Sequence, residues 1–546
     1  MRSRLWVSAA KLPGQQYDHI NVLTTDLAVS ASSRIATVGE LLPTRVLDLG
    51  VSGTSNIDNL TVSAVRKMLA TSKVKVITTP PGARGHYLAL SHRWGDDEEF
   101  KLTKPSLSSF QDDGVPFSKI PKTFQDALVV TRLLRHRYLW IDALCIVQDD
   151  VDDWARESAR MAAVYSHASC TISAHTARDS NTGFLDASLN PPPTLVLRSP
   201  TYFFNPHRTI SHLTLLDSFA NQITGSFLNR RNWVFQERVL SRRLLHFVQH
   251  HTFFEDAAGF IPDDVVPGNT LLRRPEDSKW SVTDSFQGFV YWYRLVEKYS
   301  RCSLTYEKDR LPAIAGLAQS FDEMNDPGGY MFGLWEKLVH LGLLWINGSG
   351  RPVGGDSDVD GTPVLPSWSW ACCRGRVAYP STLSDAMRSD LLVVRDGIQL
   401  DFNKLPSFHT STTGTGVLLL EGTVVDLPLV HAEARRTPQE MPFLDSGIKG
   451  LYSLTSDGNQ FGSWVSLDNQ TTTSDVVVFS KLSCLRICWH VEADNTFVLR
   501  YETTYYFLLL EGVGGSPDIK RYRRVGIGAT RRDHWTGLRH RRIEIE

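Results

Sequence analysis

Two apolar runs decide the fold: YLALS at residues 87–91 and YLWIDALCIV at residues 138–147. Each run carries few polar residues, which is typical of a strand that is covered on both faces in a parallel sheet. A third run, SCTISAH at residues 169–175, has the same character. We therefore predict three buried strands in one sheet, with the strand of the second run spanning residues 138–146.

Helical patterns separate these runs. After Pro121, the residues Phe124, Ala127 and Leu128 fall on one face of a helix predicted near residues 123–135. The acidic segment QDDVDD then opens a second helix, predicted near residues 152–166, where negative charge complements the helix dipole. The order strand, helix, strand, helix, strand predicts an α/β fold with a mainly parallel sheet and flanking helices.

The residue pattern of the chain changes on either side of these elements. We predict an N-terminal extension at residues 1–42, an α/β domain at 43–190, a mainly helical region at 191–350 and a β-rich region at 351–546. The Pro-rich segment SLNPPPTLVLRSP marks the second boundary, and residues 230–247 read as a helix that is basic on one face. Short apolar runs such as GVLLLEGTVVDLPLV predict the strands of the last region.

Composition bounds the function. The chain has 546 residues, of which 42% are hydrophobic, so it can bury two to four cores. Its formal net charge is -1, which gives no overall attraction to nucleic acid or to an anionic membrane. The basic stretch at residues 519–542 predicts an edge hairpin with a solvated basic face. No GxxxxGK[ST] phosphate loop occurs, and no cofactor is predicted.

Cysteine usage and apolar runs predict a cytoplasmic protein. Seven cysteines in 546 residues are too sparse for a disulfide framework, so we expect reduced thiols. The first apolar stretch is interrupted by Lys11 and Pro13, which does not fit a signal peptide. No run approaches the ~20 apolar residues of a membrane span.

A candidate site lies where the predicted strands end. Ser91, His92 and Asp142 follow the apolar runs, and ligands of open α/β sheets bind at the carboxyl edge of the strands. The alternative is that Asp142 only satisfies backbone N–H groups of its loop. Trp94 and Gly95 predict a ligand-binding loop, since an indole stacks on flat ligands and glycine permits close approach. The alternative is an indole lid packed over the sheet end.

Glu157 is a candidate for acid/base chemistry. It lies three residues after Trp154, at the border of the apolar stripe of its helix. A carboxyl group that is partly desolvated there has a raised pKa, which suits proton transfer. The alternative is a structural ion pair with Arg156 or Arg160, which are helical neighbours.

Two further groupings favour packing over chemistry. Cys145 could form a nucleophile and base pair with His92, His167 or His175. It lies in an apolar run, however, and is interpreted as a small buried hydrophobe. Cys484, Cys488 and His490 share one face of a predicted strand. They lack a fourth ligand at zinc spacing, so core packing is expected and no metal site is predicted.

Several long motifs together resemble the heterokaryon incompatibility (HET) domain of fungi. The core motifs are YLALSHRWGDD, IPKTFQDALVVTRLLRHRYLWIDALCIVQDD and DWARESARMAAVYSHASCTISAHTARDSNTGFL. Flanking motifs that are similar to those of large HET proteins are LLPTRVLDLG, RRNWVFQERVLSRRLLHF, LPSWSWACCRGRVAY and YRRVGIG. The resemblance extends from Leu41 over most of the chain.

The resemblance implies a role in vegetative incompatibility, where nonself recognition after cell fusion leads to programmed cell death. It implies self-association or a protein partner in that signalling. The domain is also distantly similar to TIR domains, some of which cleave NAD with a glutamate that shortly follows a tryptophan. That likeness would make Glu157 catalytic. Asp142 and Ser91 are candidate catalytic residues because they lie at the carboxyl edge of the predicted strands. Two alternatives stay open: an NAD or nucleotide hydrolase, and a pathway-associated HET protein without a death role.

Overall fold

A computed structural model gives the fold in two compact units, Met1–Lys279 and Trp280–Glu546. The structure describes residues 39–50, 61–95, 100–189, 194–198, 210–214, 222–223, 225–256, 259–262, 285–304, 306–325, 327–348, 365–380, 387–389, 392–393, 416–434, 451–456, 459–468, 476–494, 500–516 and 519–546. Most of the predicted extension at residues 1–42 therefore lies outside the described residues.

The first unit combines strands with helices. Its strands are β1 Glu40–Leu41, β2 Arg45–Asp48, β3 Lys73–Thr78, β4 Arg84–Gly85, β5 Tyr87–Ser91, β6 Val115–Pro116, β7 Tyr138–Trp140, β8 Cys170–Ala174, β9 Thr194–Arg198, β10 Ile210–Thr214, β11 Leu244–Val248, β12 His251–Asp256 and β13 Gly259–Pro262. Its helices are α1 Val62–Leu69, α2 Lys104–Asp112, α3 Lys122–Leu133, α4 Asp142–Cys145, α5 Val151–His167, α6 Leu185–Leu189 and α7 Asn232–Leu240, with 3-10 turns at Phe117–Lys119 and Leu228–Arg230.

One mixed sheet organises this unit. Among the described residues its strand order is β13-β12-β11-β8-β5-β7-β2-β3-β6. The four central strands β11, β8, β5 and β7 are parallel, and the pairs on either side are antiparallel. The predicted parallel pairing of residues 87–91 with the 138–147 run is confirmed, since Ala89 lies opposite Trp140.

Local sequence explains the central elements. All five residues of β5 and all five of β8 are buried, as their apolar runs predict for covered strands. In α3, Phe124, Ala127 and Leu128 are fully buried. Helix α5 begins at the N-cap Asp150, whose side chain accepts from the backbone N–H groups of Asp152 and Asp153.

Two predictions about this unit are corrected. The strand predicted over residues 138–146 ends at Trp140, and α4 follows because the Asp142 side chain accepts from the N–H of Ala143 at 2.8 Å. An apolar run buried on all sides does not reveal where strand gives way to helix. The sheet is also mixed rather than mainly parallel, because β2 and β3 on one side and β12 and β13 on the other pair antiparallel.

The region predicted as mainly helical also differs. The helix expected over residues 230–247 ends at Leu240, and the apolar LLHFV segment then forms β11 against β8. Residues 194–262 contribute the strands β9–β13 as well. Helices are present further on, at α8 Ser285–Tyr299 and α9 Pro312–Asn325. The three boundaries between the four predicted regions stay predictions.

The second unit is β-rich at its C-terminal end, as predicted. Its remaining elements are the helix α10 Val339–Gly342, the 3-10 turns Glu307–Asp309 and Trp370–Cys372, and the strands β14 Tyr330–Met331, β15 Leu334–Trp335, β16 Ile346–Asn347, β17 Val377–Ala378, β18 Leu392–Val393, β19 Leu418–Ala434, β20 Leu451–Ser456, β21 Asn459–Leu467, β22 Val476–Asp494, β23 Arg500–Gly515, β24 Lys520–Thr530 and β25 His540–Ile545. In the described part of the chain, an eight-stranded sheet runs β18-β19-β20-β21-β24-β23-β22 with β25 against β19 and β24.

The sheet of the second unit closes on itself, because β19 also pairs with β22. Its interior is an apolar cluster that includes Cys484, Phe507 and Trp535. The predicted edge hairpin at residues 519–542 is corrected: β24 lies between β21 and β23 inside the sheet. The basic run is therefore partly buried, and Arg524 is only 3% exposed.

The structure bears on the expectations about cysteine pairing and membrane spans. No disulfide joins the seven cysteines, all of which lie among the described residues. In the part of the chain that the structure describes, no helix combines the length and apolar character needed to cross a membrane.

Candidate functional site

The candidate site lies at the carboxyl edge of the parallel strands. β5 ends at Ser91, β7 ends at Trp140, and Asp142 opens α4 directly beyond it. Because β5 and β7 run parallel, His92 and Asp142 emerge at the same edge, the position at which open α/β sheets bind ligands. The structure thus brings together four of the residues that the sequence proposed: Ser91, His92, Trp94 and Asp142.

Asp142 links the two strand ends. Its Oδ2 accepts a hydrogen bond from the Trp94 indole Nε1 at 2.7 Å, and its Oδ1 accepts from the Ala143 N–H at 2.8 Å. Its side chain is 20% exposed, so the carboxylate is partly accessible. Asp142 therefore satisfies a backbone N–H of its own segment, as the structural alternative expected, and also fixes the indole of the first loop.

His92 is buried with its hydrogen-bonding capacity unmet. The ring is 1% exposed and packs edge-on against Phe124 at a centroid distance of 5.0 Å. Neither ring nitrogen has a hydrogen-bond partner among the described residues, and Nδ1 lies 3.7 Å from Asp142 Oδ1. Burial lowers the pKa of His92 to about 4, with the Asp142 charge opposing, so the imidazole is neutral at neutral pH. A neutral ring offers one donor and one acceptor to a ligand.

Gly95 fixes the path of the first loop. Its φ is +81°, and an added Cβ would lie 2.5 Å from the Cβ of Asp179. Only glycine fits this backbone conformation and this close approach. Ser180, the neighbour of Asp179, also holds this loop, because its hydroxyl donates to the Trp94 carbonyl at 3.2 Å. Trp94 itself is only partly buried, so some of its surface faces solvent.

The structure adds Glu237, which the sequence reasoning missed. Its carboxyl group is 5% exposed, and burial raises its pKa to about 7. The negative charge of Asp142 raises the pKa further, while hydrogen bonding to Ser91 and Tyr165 lowers it. Its Oε2 has no hydrogen-bond partner among the described residues. A carboxyl group with a pKa near neutrality can both accept and release a proton at physiological pH.

A signal for Glu237 was present in the sequence. It lies three residues after Val234 and three before Leu240, and both of these are buried. Helical spacing therefore puts the carboxyl group on the apolar face of α7. A charged residue at such a position costs free energy unless it is paired or neutralised, which marks it as a functional candidate.

Arg231 completes the charge distribution at this edge. Its Nη1 donates to the carbonyl of His92 at 3.2 Å, and its charge lowers the pKa of Glu237. The positive guanidinium thus interacts with the carboxyl group of Glu237 and with the ring of His92. Arginine at such a position is suited to hold an anionic group of a ligand.

Glu157 lies among arginines. The residue is 3% exposed, and its Oε1 is 3.8 Å from Arg156 Nε and from Arg160 Nη1. These are the partners that the structural alternative named. One turn earlier, Asp153 pairs with Arg45 and accepts from the N–H of Val147 at 2.8 Å. These contacts tie the first part of α5 to the chain around it.

The remaining candidates show packing environments. Cys145 is 1% exposed, and burial raises the pKa of its thiol to about 12, which keeps it protonated and weakly nucleophilic. Cys484 and Cys488 are fully buried. No group of three or more potential ligands is placed to hold a metal ion within the described residues.

The comparison with protein families matches this part of the chain. Residues 87–237 fit the family model described as Heterokaryon incompatibility protein (HET). The chain therefore carries a HET domain, and Ser91, Asp142, Glu157 and Glu237 all lie within it. Neither the curated proteins nor the solved structures contain a match to the chain, so the expected likeness to TIR domains is not confirmed.

Proposed function

We propose that the chain acts in heterokaryon incompatibility, where it links nonself recognition to programmed cell death in a fused fungal cell. The observation that carries the proposal is the HET match at residues 87–237, which encloses the whole candidate site. The protein works in the cytoplasm and signals through self-association or a protein partner. The carboxyl edge of the sheet is its functional centre.

The polar groups at that edge support a ligand-binding role. A buried polar atom without a partner costs about 1–3 kcal/mol, so such atoms are retained where a ligand completes them. Both ring nitrogens of His92 and the Oε2 of Glu237 are of this kind. Trp94, held by Asp142, adds an aromatic surface beside them. In this proposal the death signal depends on a molecule that binds there.

Overexpression in a filamentous fungus tests the role. Wild-type chain should arrest growth or kill, and Asp142→Ala should not, because the substitution releases the Trp94 indole and removes the carboxylate. Asp112→Ala is the matched control, since Asp112 is exposed at the end of α2. Protein abundance is measured for each variant, because an unpaired indole donor costs about 1–3 kcal/mol. Trp94→Phe removes that donor and provides a second loss-of-function variant.

The outcomes separate the hypotheses. An abundant Asp142→Ala protein that kills as well as the wild type would reduce Asp142 to a structural role. Wild-type protein that accumulates without any growth defect would favour a pathway-associated HET protein without a death role.

Hydrolysis of NAD or a related nucleotide is a second candidate, and the surroundings of Glu237 favour it. The carboxyl group is buried beside Ser91, has a pKa of about 7, and lies close enough to Arg231 for the two charges to interact. In its ionised form it can take a proton from water that attacks the ribose carbon, while the bond to nicotinamide breaks. Trp94 supplies a surface for stacking on a flat base.

Nicotinamide release from NAD by the purified full chain tests this candidate. Glu237→Gln should abolish release, because an amide has no titratable proton at neutral pH. Glu157→Gln changes another buried glutamate and should keep the wild-type rate. Loss of release in that variant would instead support the sequence prediction that Glu157 is catalytic. The wild type is assayed dilute and deliberately clustered. A lack of turnover in both samples would remove the enzymatic candidate and leave the signalling role.

A further inference from the structure

A continuous chain of hydrogen bonds lies in the same unit, beside the site described above. Ser226 Oγ is 2.9 Å from His175 Nδ1, and His175 Nε2 is 2.9 Å from His246 Nδ1. His246 Nε2 is 2.7 Å from Glu255 Oε2. Arg238 Nε lies 3.5 Å from the same carboxylate oxygen. Four side chains from distant parts of the sequence thus form one line.

With Glu255 ionised and both imidazoles neutral, the protons of this chain have one consistent arrangement. An ionised Glu255 beside Arg238 only accepts, so Nε2 of His246 must donate to it. In a neutral His246 ring the other nitrogen, Nδ1, then accepts from His175 Nε2. Burial holds the pKa of His175 well below its usual value, so its ring is neutral as well and its Nδ1 accepts from the Ser226 hydroxyl. In each hydrogen bond, therefore, the donor is the group nearer Ser226 and the acceptor is the group nearer Glu255.

Exposure falls along the same line. Ser226 is partly exposed, His175 is 8% exposed, and His246 and Glu255 are 0% and 1% exposed. The backbone N–H of Asn229 donates to Ser226 Oγ at 3.2 Å and fixes the oxygen in place. A partly exposed serine whose hydroxyl contacts an imidazole is the arrangement of an activated serine nucleophile. Here a second imidazole, that of His246, links the base to the buried carboxylate.

The position in the fold agrees with a catalytic use. His175 directly follows β8 at its carboxyl end, and His246 lies on β11, which runs parallel to β8. Ser91 pairs with Ser173 in the adjacent strands β5 and β8, so the two sites share one edge of the sheet. The next residue in the chain, Phe227, is a large apolar side chain that is 58% exposed.

We infer that Ser226 is the nucleophile of a second, acyl-transfer site that hydrolyses carboxylic esters or thioesters, with His175 as its base and His246 and Glu255 as positioning residues. The Ser226 oxygen bonds to the acyl carbon while its proton moves to His175 Nδ1. The bond to the leaving alcohol or thiol then breaks, and the leaving group takes that proton. Water, deprotonated by the same nitrogen, releases the carboxylic acid and restores the hydroxyl. This site does not depend on the role proposed for Asp142 and Glu237.

Covalent labelling of the purified full chain with a fluorophosphonate probe tests the inference. Mass spectrometry of the peptide that ends at Arg230 should locate one adduct on Ser226. Ser226→Ala should abolish the adduct. Ser166→Ala should leave the adduct unchanged. Ser166 is also partly exposed, but its hydroxyl donates to the Ala163 carbonyl of its own helix rather than contacting an imidazole.

Hydrolysis of p-nitrophenyl acetate gives the second measurement. Ser226→Ala should lower the rate at least 10-fold, with the folded state checked by thermal denaturation. Glu255→Gln should slow labelling about 10-fold, and Glu255→Asp, which restores the carboxylate, should recover most of the rate. Folded wild-type protein that takes no label, or that takes label equally in Ser226→Ala, would overturn the inference. Equal hydrolysis rates for the wild type and Ser226→Ala would do the same.

Discussion

Each of the two units buries a charged or titratable side chain, but the two side chains differ in how many hydrogen-bond partners surround them. In the N-terminal unit, neither ring nitrogen of His92 meets a hydrogen-bond partner among the described residues. In the C-terminal unit, Arg524 pairs with Asp468 at 3.0 Å, donates to the Leu343 carbonyl at 2.9 Å and stacks 3.5 Å from the Trp345 ring centroid. The saturated cluster contributes to stability, whereas the unsatisfied His92 belongs to the edge for which we propose a ligand.

Arg524→Met should cause the largest loss of stability. It leaves Asp468 buried without its cation, and breaking a buried pair costs roughly 3–5 kcal/mol. Urea denaturation of the full chain measures the change. Arg541→Met is the matched control: Arg541 pairs with Asp426 at 3.0 Å but is 46% exposed, so the expected cost is below about 1 kcal/mol.

A double variant sharpens this prediction. Arg524→Met combined with Asp468→Asn removes both charges, so it should recover part of the stability that Arg524→Met loses. A single variant as stable as the wild type would contradict the structural role of the pair.

Glu237→Gln should change how stability depends on pH. The pKa of Glu237 is about 7 when folded and near 4.5 when unfolded, so the folded state binds more protons between these values. Wild-type stability therefore falls as pH rises from about 4.5 to about 7, by at most about 3 kcal/mol. The variant should lack this component in denaturation measured across that range. Identical pH profiles would contradict a raised pKa.

His92→Phe should uncouple stability from function. The substitution replaces an imidazole without partners by an apolar ring, so stability should hold or rise by about 1 kcal/mol. The stabilisation should be larger at low pH, because wild-type His92 has a folded pKa of about 4, below its unfolded value of 6.5. Its contribution to stability is lost as pH falls through that interval. Growth arrest by the variant should nevertheless be lost, and a fully active variant would argue against a ligand at this ring.

Glu157→Gln should have the smallest effect on stability. Its contacts to Arg156 and Arg160 are 3.8 Å long, and both arginines are more than half exposed. Both arginines stay solvated when these contacts are lost, and glutamine keeps the volume of the buried side chain, so the expected change is below about 1 kcal/mol. Thermal denaturation of this variant beside Glu237→Gln checks the difference. A loss as large as that of Arg524→Met would show that Glu157 holds α5 in place.

Sequence patterns predicted where several residues of the candidate site lie in the fold. Ser91 and Asp142 were expected at one sheet edge because their strands read as parallel neighbours, and the structure places His92 and Trp94 with them. Glu237 was missed because α7 was read as a basic helix without a partner. The bias toward Glu157 came from a spacing shared with Trp154, and spacing along one helix does not show which way that face points.

The sequence by itself determined the elements and the family. Apolar runs gave β5 and β8, the acidic N-cap Asp150 began α5, and the motifs of residues 87–237 identified the HET domain. These features depend on neighbours within a few residues, so the periods of strand and helix reveal them. Only the tertiary structure decided the antiparallel flanks of the sheet, the meeting of Glu237 with Ser91, and the line from Ser226 to Glu255. Those contacts depend on which distant segments pair in the sheet, and the local periodicity of the sequence does not reveal that pairing.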